Sequence, residues 1–311
     1  MPRPLISNRK TSKTSRVKIR SRTTRSQRTR STRVDLHTHT NASDGESSPE
    51  ELIALARKRH VSVLALTDHD TTAGIERAMQ AVRAAGDIEF IPGVELSCDV
   101  PGAEVHMLGY FIEWQLPELQ VMLEKFREGR FGRAQKMVEK LNELGVPVTF
   151  ERVQNIAGDA SIGRPHVAQA LLEIGAVQDV KEAFDKYIGR NGPAYFERYR
   201  LTPEDAIALI LQARGVPVLA HPENVLEYVP ALVHAGLAGL EVWYAQYDQR
   251  FQGQLNEIAK EHGLIATGGS DFHGLHKMGH MSALGQAPVP TSVVAKLKRK
   301  KIEIERMSRK E

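Results

Sequence analysis

Short apolar runs alternate with longer amphipathic segments along most of this chain, beginning at Val34. The clearest run is 61–66 (VSVLAL), whose β-branched and apolar side chains predict a buried strand. Runs of this kind predict strands at 34–36, 61–66, 88–91, 105–110, 217–222, 240–243 and 264–267. Strands that alternate with helices predict an α/β fold on a mainly parallel sheet.

Helix-start signals locate several of the intervening helices. Ser48 is a candidate N-cap, with Pro49 at the first helical position and Glu51 three residues after the cap, so we expect a helix that ends near His60. Thr202, followed by proline and glutamate, predicts a second start of this type. Further helices are predicted at 73–85, 226–235 and 248–262.

Residues 113–200 interrupt this alternation. Long helical patterns at about 117–144 and 165–174, joined by loops with glycine and proline, predict a mainly helical insertion. The expected organisation is a disordered basic tail (1–33), the first part of a barrel (34–112), the insertion (113–200), the second part of the barrel (201–290) and a C-terminal basic helix (291–311).

The formal charge of +4 averages two unlike parts of the chain. Residues 1–33 carry twelve Lys and Arg side chains and no acid, and they have too few apolar side chains to fold. We interpret this tail as an arm that contacts RNA, as a solvated tail, or as the product of an over-extended start codon; a transit peptide fits less well. The other residues carry 30 basic and 38 acidic side chains, so the folded part is acidic.

Composition excludes several classes of protein. Cys98 is the only cysteine, which excludes an internal disulfide and thiolate-rich metal sites. A reducing, cytoplasmic setting is therefore expected. No run of 18 apolar residues occurs, so we expect no membrane span. Nothing in the sequence calls for an obligate protein partner.

Two histidines follow the first predicted strand. Alternate residues of an extended segment share a face, so the imidazoles of His37 and His39 can reach one ion. Gly45 allows a turn that can bring Asp44 back toward a neighbouring ion. The spacing alone is equally compatible with two structural histidines.

Nine metal-binding side chains stand at or near the ends of predicted strands. They are His37, His39, Asp44, His69, Glu95, His106, His221, Asp271 and His273. In a closed barrel of parallel strands, the C-terminal strand ends share one face, so these groups meet there. One histidine in such a place is commonly structural, but nine such positions predict a multinuclear metal site.

Motifs around these residues resemble the polymerase and histidinol phosphatase (PHP) family of metal-dependent phosphoesterases, over roughly residues 34–285. They are His37-Thr38-His39 with Asp44, 67–70 (TDHD), 93–95 (GVE), His106, 220–222 (AHP) and 269–273 (GSDFH). Two motifs of the insertion, 163–166 (GRPH) and 184–189 (FDKYIG), resemble the bacterial subgroup that acts on nucleotides. That subgroup includes 3′,5′-nucleoside bisphosphate phosphatases and 5′-to-3′ exoribonucleases.

The resemblance implies a distorted (β/α)7 barrel, with the helical insertion covering a site for three divalent ions, usually Mn²⁺. Fe²⁺ and Zn²⁺ accept the same nitrogen and oxygen donors. By position, the first ion takes His37, His39, Glu95 and Asp271; the second takes Glu95, His106 and His221; the third takes Asp44, His69 and His273.

Other polar residues receive predicted roles around these ligands. Arg164 and Lys186 of the insertion are expected to contact phosphate. Asp68 is expected to support the ligands, and Asp70 to cap the helix at 73–85. His166 is interpreted either as a substrate contact or as a structural cap. The pair Tyr195 and Phe196 can stack on a base or pack inside the insertion.

The expected function is hydrolysis of phosphate esters, on nucleotides or at the 5′ ends of short RNA, by a hydroxide held between two metal ions. One alternative is a phosphatase for a non-nucleotide molecule such as histidinol phosphate. An alternative of another class is a nucleic-acid-binding protein that uses the basic tail and an inactive barrel.

Overall fold

The computed structural model describes residues 1–2, 32–158, 160–197, 201–274 and 283–308, and its seven strands form one sheet in the order of the sequence. The strands are β1 (Arg33–Asp35), β2 (Val61–Leu66), β3 (Glu89–Val100), β4 (Ala103–Tyr110), β5 (Val216–Leu219), β6 (Gly239–Tyr244) and β7 (Ile265–Gly269). The predicted segment 61–66 coincides with β2. The predicted α/β class is confirmed.

Most neighbouring strands are parallel, but β4 runs antiparallel to both β3 and β5. The expected barrel of parallel strands therefore has an exception at β4. Strands β3 and β4 form a hairpin whose turn contains Pro101 and Gly102, and Gly102 has a φ of 83°. No crossover helix separates these two strands in the described structure, so the chain reverses direction within the sheet.

The first and last strands meet at their C-terminal ends. The backbone N–H of Leu36 donates to the Gly268 carbonyl (3.3 Å), and the N–H of His39 donates to the Phe272 carbonyl (2.9 Å). The loops that follow β1 and β7 are consequently held side by side.

The described residues also form ten α-helices. They are α1 (Pro49–Lys58), α2 (Ile75–Ala85), α3 (Pro117–Glu143), α4 (Phe150–Ala157), α5 (Arg164–Glu173), α6 (Val180–Ala183), α7 (Pro203–Gln212), α8 (Val229–His234), α9 (Gln249–Glu261) and α10 (Ser292–Ser308). A π-helical turn (Phe184–Ile188) follows α6, and a 3-10 turn (Leu226–Tyr228) precedes α8.

The predicted helix starts at Ser48 and Thr202 are observed. The Ser48 hydroxyl accepts from the Glu51 N–H (3.2 Å), while the Glu51 carboxylate accepts from the Ser48 N–H (2.8 Å), a complete capping box. The Thr202 hydroxyl accepts from the N–H of Asp205 (3.1 Å). The predicted cap by Asp70 is wrong, because α2 begins after Gly74 without a side-chain cap.

Apolar side chains of the strands form a buried cluster. Leu36, Ala65, Leu108 and Val218 belong to one buried cluster, which Leu297 of α10 completes. The helices of the insertion, between β4 and β5, have a separate apolar core. Polar side chains are thus left to gather beyond the C-terminal strand ends.

Two further expectations concern the ends of the chain and the membrane. The predicted tail at 1–33 lies outside the described residues except at its margins, and Arg33 already belongs to β1. None of the helices in the described ranges is long and apolar enough to cross a bilayer.

Candidate metal centre

The loop after β1 carries His37 and His39, and Asp35, at the end of β1, is anchored by several hydrogen bonds. Asp35 is fully buried and accepts hydrogen bonds from the N–H (2.8 Å) and hydroxyl (2.6 Å) of Ser270 and from the N–H of Gly285 (2.7 Å). Burial raises the pKa of Asp35, and these hydrogen bonds oppose the increase. The carboxylate ties β1 to the segment that carries Asp271.

His37 and His39 converge with Glu95 and Asp271 in a first group. The Nε2 atom of His37 lies 3.1 Å from Glu95 Oε2 and 3.4 Å from Asp271 Oδ1. The Nε2 atom of His39 lies 3.2 Å and 3.1 Å from the same two oxygens. All four side chains are buried, and their four ligand atoms lie within 4.8 Å of one another.

The other carboxylate oxygen of Glu95 faces a second pair of histidines. Oε1 lies 2.8 Å from His106 Nδ1 and 3.2 Å from His221 Nε2, and these two nitrogens are 3.2 Å apart. Glu95 therefore bridges the first and second groups. His106 reaches this place because β4 is antiparallel, which puts the first half of β4 beside the second half of β3.

A third group surrounds Asp44. Its Oδ1 atom lies 3.3 Å from His273 Nε2 and 4.0 Å from His69 Nε2, and His39 completes the set. His69 also places Nδ1 at 3.2 Å from Glu95 Oε2. The structure thus brings all nine sequence-predicted residues into one cluster, with His69 within reach of two groups.

The electrostatics of the cluster favour bound cations. Burial lowers the pKa of His39, but the nearby Asp271 and Glu95 carboxylates outweigh it and raise the pKa to about 9. Burial likewise lowers the pKa of His106, while Glu95 and Glu104 raise it to about 10. For His69 the effect of burial dominates and lowers the pKa to about 3.

Ring nitrogens in the cluster also lack ordinary hydrogen bonds. Both ring nitrogens of His39 and Nδ1 of His69 are buried without a hydrogen-bond partner among the described residues. Buried polar atoms are normally paired, so these nitrogens fit metal ligands better than structural histidines. The mixed set of imidazoles and carboxylates suits borderline divalent ions such as Mn²⁺, Fe²⁺ or Zn²⁺.

Glu241 on β6 is a supporting residue that the sequence did not reveal. It is fully buried; one oxygen lies 3.1 Å from His37 Nδ1, and the other accepts from the backbone N–H of His221 (2.9 Å). A carboxylate on Nδ1 fixes the ring so that Nε2 faces the metal. A glutamate within an apolar strand was the available signal, but its burial depends on tertiary packing.

Asp68 supports the loop after β1, in agreement with its predicted role. Its carboxylate accepts from the N–H (2.7 Å) and hydroxyl (2.7 Å) of Thr40 and from the hydroxyl of Ser43 (2.8 Å). Two of the predicted ligands, His221 and Asp271, have left-handed backbone conformations, with φ values of 24° and 52°. Non-glycine residues adopt such conformations at an energetic cost, which the surrounding contacts maintain.

The cluster opens into a cavity of about 410 Å³, called the metal cavity below. Arg130 and Arg133 of α3 and Arg164 at the start of α5 line one part of it, called the arginine wall. Glu223 and Tyr247, from the loops after β5 and β6, also line the cavity. The nine clustered histidines and carboxylates form the other part of the site and are called the floor below. The cavity therefore combines a cation-binding floor with cationic groups from the insertion.

Each arginine of this wall is held by a neighbour. Arg130 donates from Nε to Asp70 (2.8 Å) and from Nη2 to the Ser97 hydroxyl (2.9 Å). Arg164 pairs with Glu104 of β4. Arg133 donates from Nε to the Phe196 carbonyl (2.8 Å). Only Arg164 was predicted, because Arg130 and Arg133 are indistinguishable in sequence from charges on a solvated helix face.

Lys186 does not line the metal cavity in the described structure. Its side chain is half-exposed, and Nζ lies 3.9 Å from Glu182 and above the Tyr187 ring. His166 acts as a cap, since its Nδ1 accepts from the Gly163 N–H (2.9 Å). The guanidinium carbon of Arg133 lies 5.4 Å from the centroid of the Tyr195 ring.

A comparison with protein families decides the assignment, because the model for the PHP domain matches residues 35–282. The chain belongs to the PHP family. It is accordingly a metal-dependent phosphoesterase, and the matched segment contains all nine residues of the cluster.

Relatives and solved structures agree with this assignment. The chain is 36% identical to the 5′-3′ exoribonuclease Rnm of Escherichia coli, over 77% of this chain and 84% of that protein. It is 35% identical to the 3′,5′-nucleoside bisphosphate phosphatase of Chromobacterium violaceum, over 77% and 87%. A crystal structure of a candidate metal-dependent phosphoesterase from Bifidobacterium adolescentis superimposes with a TM-score of 0.79, at 31% identity, over 87% of this chain and 96% of that one.

Proposed function

We propose that the protein hydrolyses phosphate esters of nucleotides, with 3′,5′-bisphosphonucleotides and the 5′ ends of short RNA as its substrate classes. The observation that carries the proposal is the joining of a metal-binding floor and an arginine wall in one cavity of about 410 Å³. Relatives named for both substrate classes support it. The single cysteine, Cys98, is buried and forms no disulfide, which fits action in the cytoplasm.

Three ions, with Mn²⁺ as the preferred metal, fit the three groups of ligands. His37, His39, Glu95 and Asp271 would hold the first, and Glu95 with His106 and His221 the second. Asp44, His69 and His273 would hold the third. When bound, divalent ions activate water as a nucleophile and neutralise charge on phosphoryl oxygens.

The residues of the chain position the substrate around these ions. Arg164 presents a planar guanidinium suited to two phosphate oxygens, and its pairing with Glu104 keeps it at the edge of the cavity. Arg130 and Arg133 extend the same wall. The Tyr244 hydroxyl donates to Asp271 Oδ2 (3.0 Å) and so orients a carboxylate of the first group. The arginine wall and the metal floor can thus bind different phosphate groups of one substrate.

The test compares three substrates with Mn²⁺-loaded protein: adenosine 3′,5′-bisphosphate, a short 5′-phosphorylated RNA and histidinol phosphate. His37→Ala serves as the blank. Release of phosphate or mononucleotides from either of the first two, absent in the blank, supports the proposal. Turnover of histidinol phosphate alone would replace it with the small-molecule alternative, and inactivity on all three would contradict it.

A further inference from the structure

A second cavity adjoins the arginine wall and has no role in the chemistry at the metal centre. It has a volume of about 370 Å³ and lies between the tip of the β3–β4 hairpin and the insertion. Its lining includes Asp99, Gly102, Arg190, Tyr195, Glu197 and Thr202. We call it the side cavity.

A contact between Arg133 and Tyr195 links the linings of the two cavities. Arg133 lines the metal cavity, and Tyr195 lines the side cavity. The guanidinium of Arg133 lies over the Tyr195 ring, 5.4 Å from its centroid, and Nε donates to the Phe196 carbonyl (2.8 Å). A ligand that extends from the metal cavity past Arg133 therefore meets the edge of Tyr195 next.

The side cavity combines an aromatic ring with a fixed cation. Tyr195 is partly exposed, so its ring can contact a ligand. Arg190 donates to Asp99 (3.1 Å), which holds the guanidinium against the hairpin. A guanidinium has five N–H groups, so it can keep this bond and also contact a phosphate oxygen. An aromatic platform beside backbone-tracking cations is the usual arrangement in sites for single-stranded nucleic acid.

The acidic residues of the side cavity favour a base over an isolated anion. Among the lining residues that the structure describes, two carboxylates, of Asp99 and Glu197, stand beside one guanidinium, of Arg190, which disfavours a free phosphate ion. Carboxylate oxygens instead accept hydrogen bonds from the exocyclic N–H groups of bases. The metal cavity, in contrast, contains three arginines within its wall.

We propose that the side cavity binds the second nucleotide of a single-stranded oligonucleotide whose first nucleotide occupies the metal cavity. The linkage between the two nucleotides is the one that is hydrolysed and lies at the metal floor beside Arg133; the second base stacks on Tyr195, and Arg190 contacts the phosphate on the 3′ side of the second nucleotide. This inference rests on the proposed function and narrows it, because a mononucleotide does not reach the side cavity. It makes short oligonucleotides the preferred substrates of this enzyme.

The test measures kcat/KM of the Mn²⁺-loaded enzyme on adenosine 3′,5′-bisphosphate and on a 5′-phosphorylated trinucleotide. Arg190→Gln is the main variant, since Arg190 does not contact Arg133 in the described structure. Loss of a base stack or backbone contact should lower kcat/KM on the trinucleotide about tenfold. Turnover of the mononucleotide should change less than about twofold.

Two more variants separate binding from structural support. Tyr195→Leu should reproduce the trinucleotide defect, and Tyr195→Phe, which keeps the ring over Arg133, should restore activity. Arg152→Gln, which removes an exposed arginine paired with Glu173, is the control for lost positive charge. Binding of a labelled trinucleotide with phosphorothioate linkages, followed by fluorescence anisotropy, gives a readout independent of turnover.

Equal losses on both substrates, or no loss on either, would overturn the inference. So would a defect in Arg152→Gln as large as that in Arg190→Gln. Failure of the proposed function looks different, because the unmodified enzyme would then be inactive on the mononucleotide and on the trinucleotide alike.

Discussion

The floor and the arginine wall of the metal cavity come from different parts of the chain and bind charges of opposite sign. The floor consists of histidines and carboxylates held on the strands or in the loops that follow them, and most of these side chains are buried. The wall consists of three arginines on α3 and α5, each held by neighbouring polar groups. The comparison suggests that the strands determine which cations bind, whereas the insertion determines which anionic substrates fit.

Glu95→Gln should disrupt metal binding by the floor and cause the largest loss of activity among these variants. The Glu95 carboxylate lies within ion-pair distance of histidines of all three groups, and a neutral amide removes the charge that the cations neutralise. We expect metal content to fall and turnover to drop about 10³-fold or more. Elemental analysis and kinetics measure both. Glu223→Gln, which removes a carboxylate of the same cavity, is the control and should retain its metal.

Arg164→Ala should weaken phosphate binding by the arginine wall and leave metal binding by the floor unchanged. Without the guanidinium, the phosphate loses a charge-assisted contact, and turnover should fall about 10²-fold. Metal content should stay at the level of the unmodified protein, because Arg164 contacts Glu104 and no histidine of the floor. Loss of metal from this variant would show that Arg164 belongs functionally to the floor.

Glu241→Gln tests how strongly the contacts of Glu241 with His37 and His221 affect metal affinity. The amide keeps the shape of the side chain but weakens its interaction with His37 Nδ1 and with the backbone of His221. Metal affinity should fall about 10–100-fold, and excess Mn²⁺ should recover most of the activity. Calorimetric titration with Mn²⁺ measures the affinity. An unchanged affinity would reduce Glu241 to a packing residue.

The pH dependence of metal binding should distinguish the floor from the wall. The pKa values of His39 and His106, raised to about 9 and about 10, mean that both rings are protonated near neutral pH in the metal-free protein. Their protonation stabilises the metal-free fold fully below about pH 6.5, and this stabilisation is lost as the pH rises through 9 to 10.

Mn²⁺ must displace these protons, so its apparent affinity should rise up to about tenfold per pH unit for each proton released. Titrations in buffers of different ionisation enthalpy should show release of about two protons at pH 7, which falls to less than one at pH 10. Buffer-independent heats at pH 7 would contradict the assigned protonation. Arg164→Ala should leave this proton release unchanged, because Arg164 belongs to the wall and is not one of the proposed metal ligands.

Much of the fold was predictable because its signals are local. The segment 61–66 contains enough β-branched and apolar residues to define β2, and the sequence from Ser48 to Glu51 defines a capping box by spacing alone. The nine residues of the floor were recognisable for the same reason, since each follows or lies in an apolar run.

Features that depend on tertiary pairing were not predictable. The direction of β4 is set by the turn at Gly102, and nothing in the strand itself distinguishes a parallel from an antiparallel neighbour. Asp70 was assigned to a helix cap, but its partner, Arg130, comes from α3, 60 residues away. The supporting role of Glu241 was not predictable, because it depends on which residues pack against β6. Lys186 is predicted to contact phosphate because its motif resembles one of the nucleotide-directed subgroup, whereas its half-exposed side chain on the π-helical turn depends on packing that the motif does not encode.

The bond between Asp35 and Ser270 joins residues that are 235 positions apart in the chain. A ribosome that adds about 5–20 residues per second needs roughly ten to fifty seconds to span that interval. During that time the nascent chain has His37 and His39 but lacks Asp271 and His273, so the first and third groups of ligands are incomplete. Acquisition of metal, and with it the ability to cut phosphate esters, is thereby postponed until almost the whole protein has been synthesised.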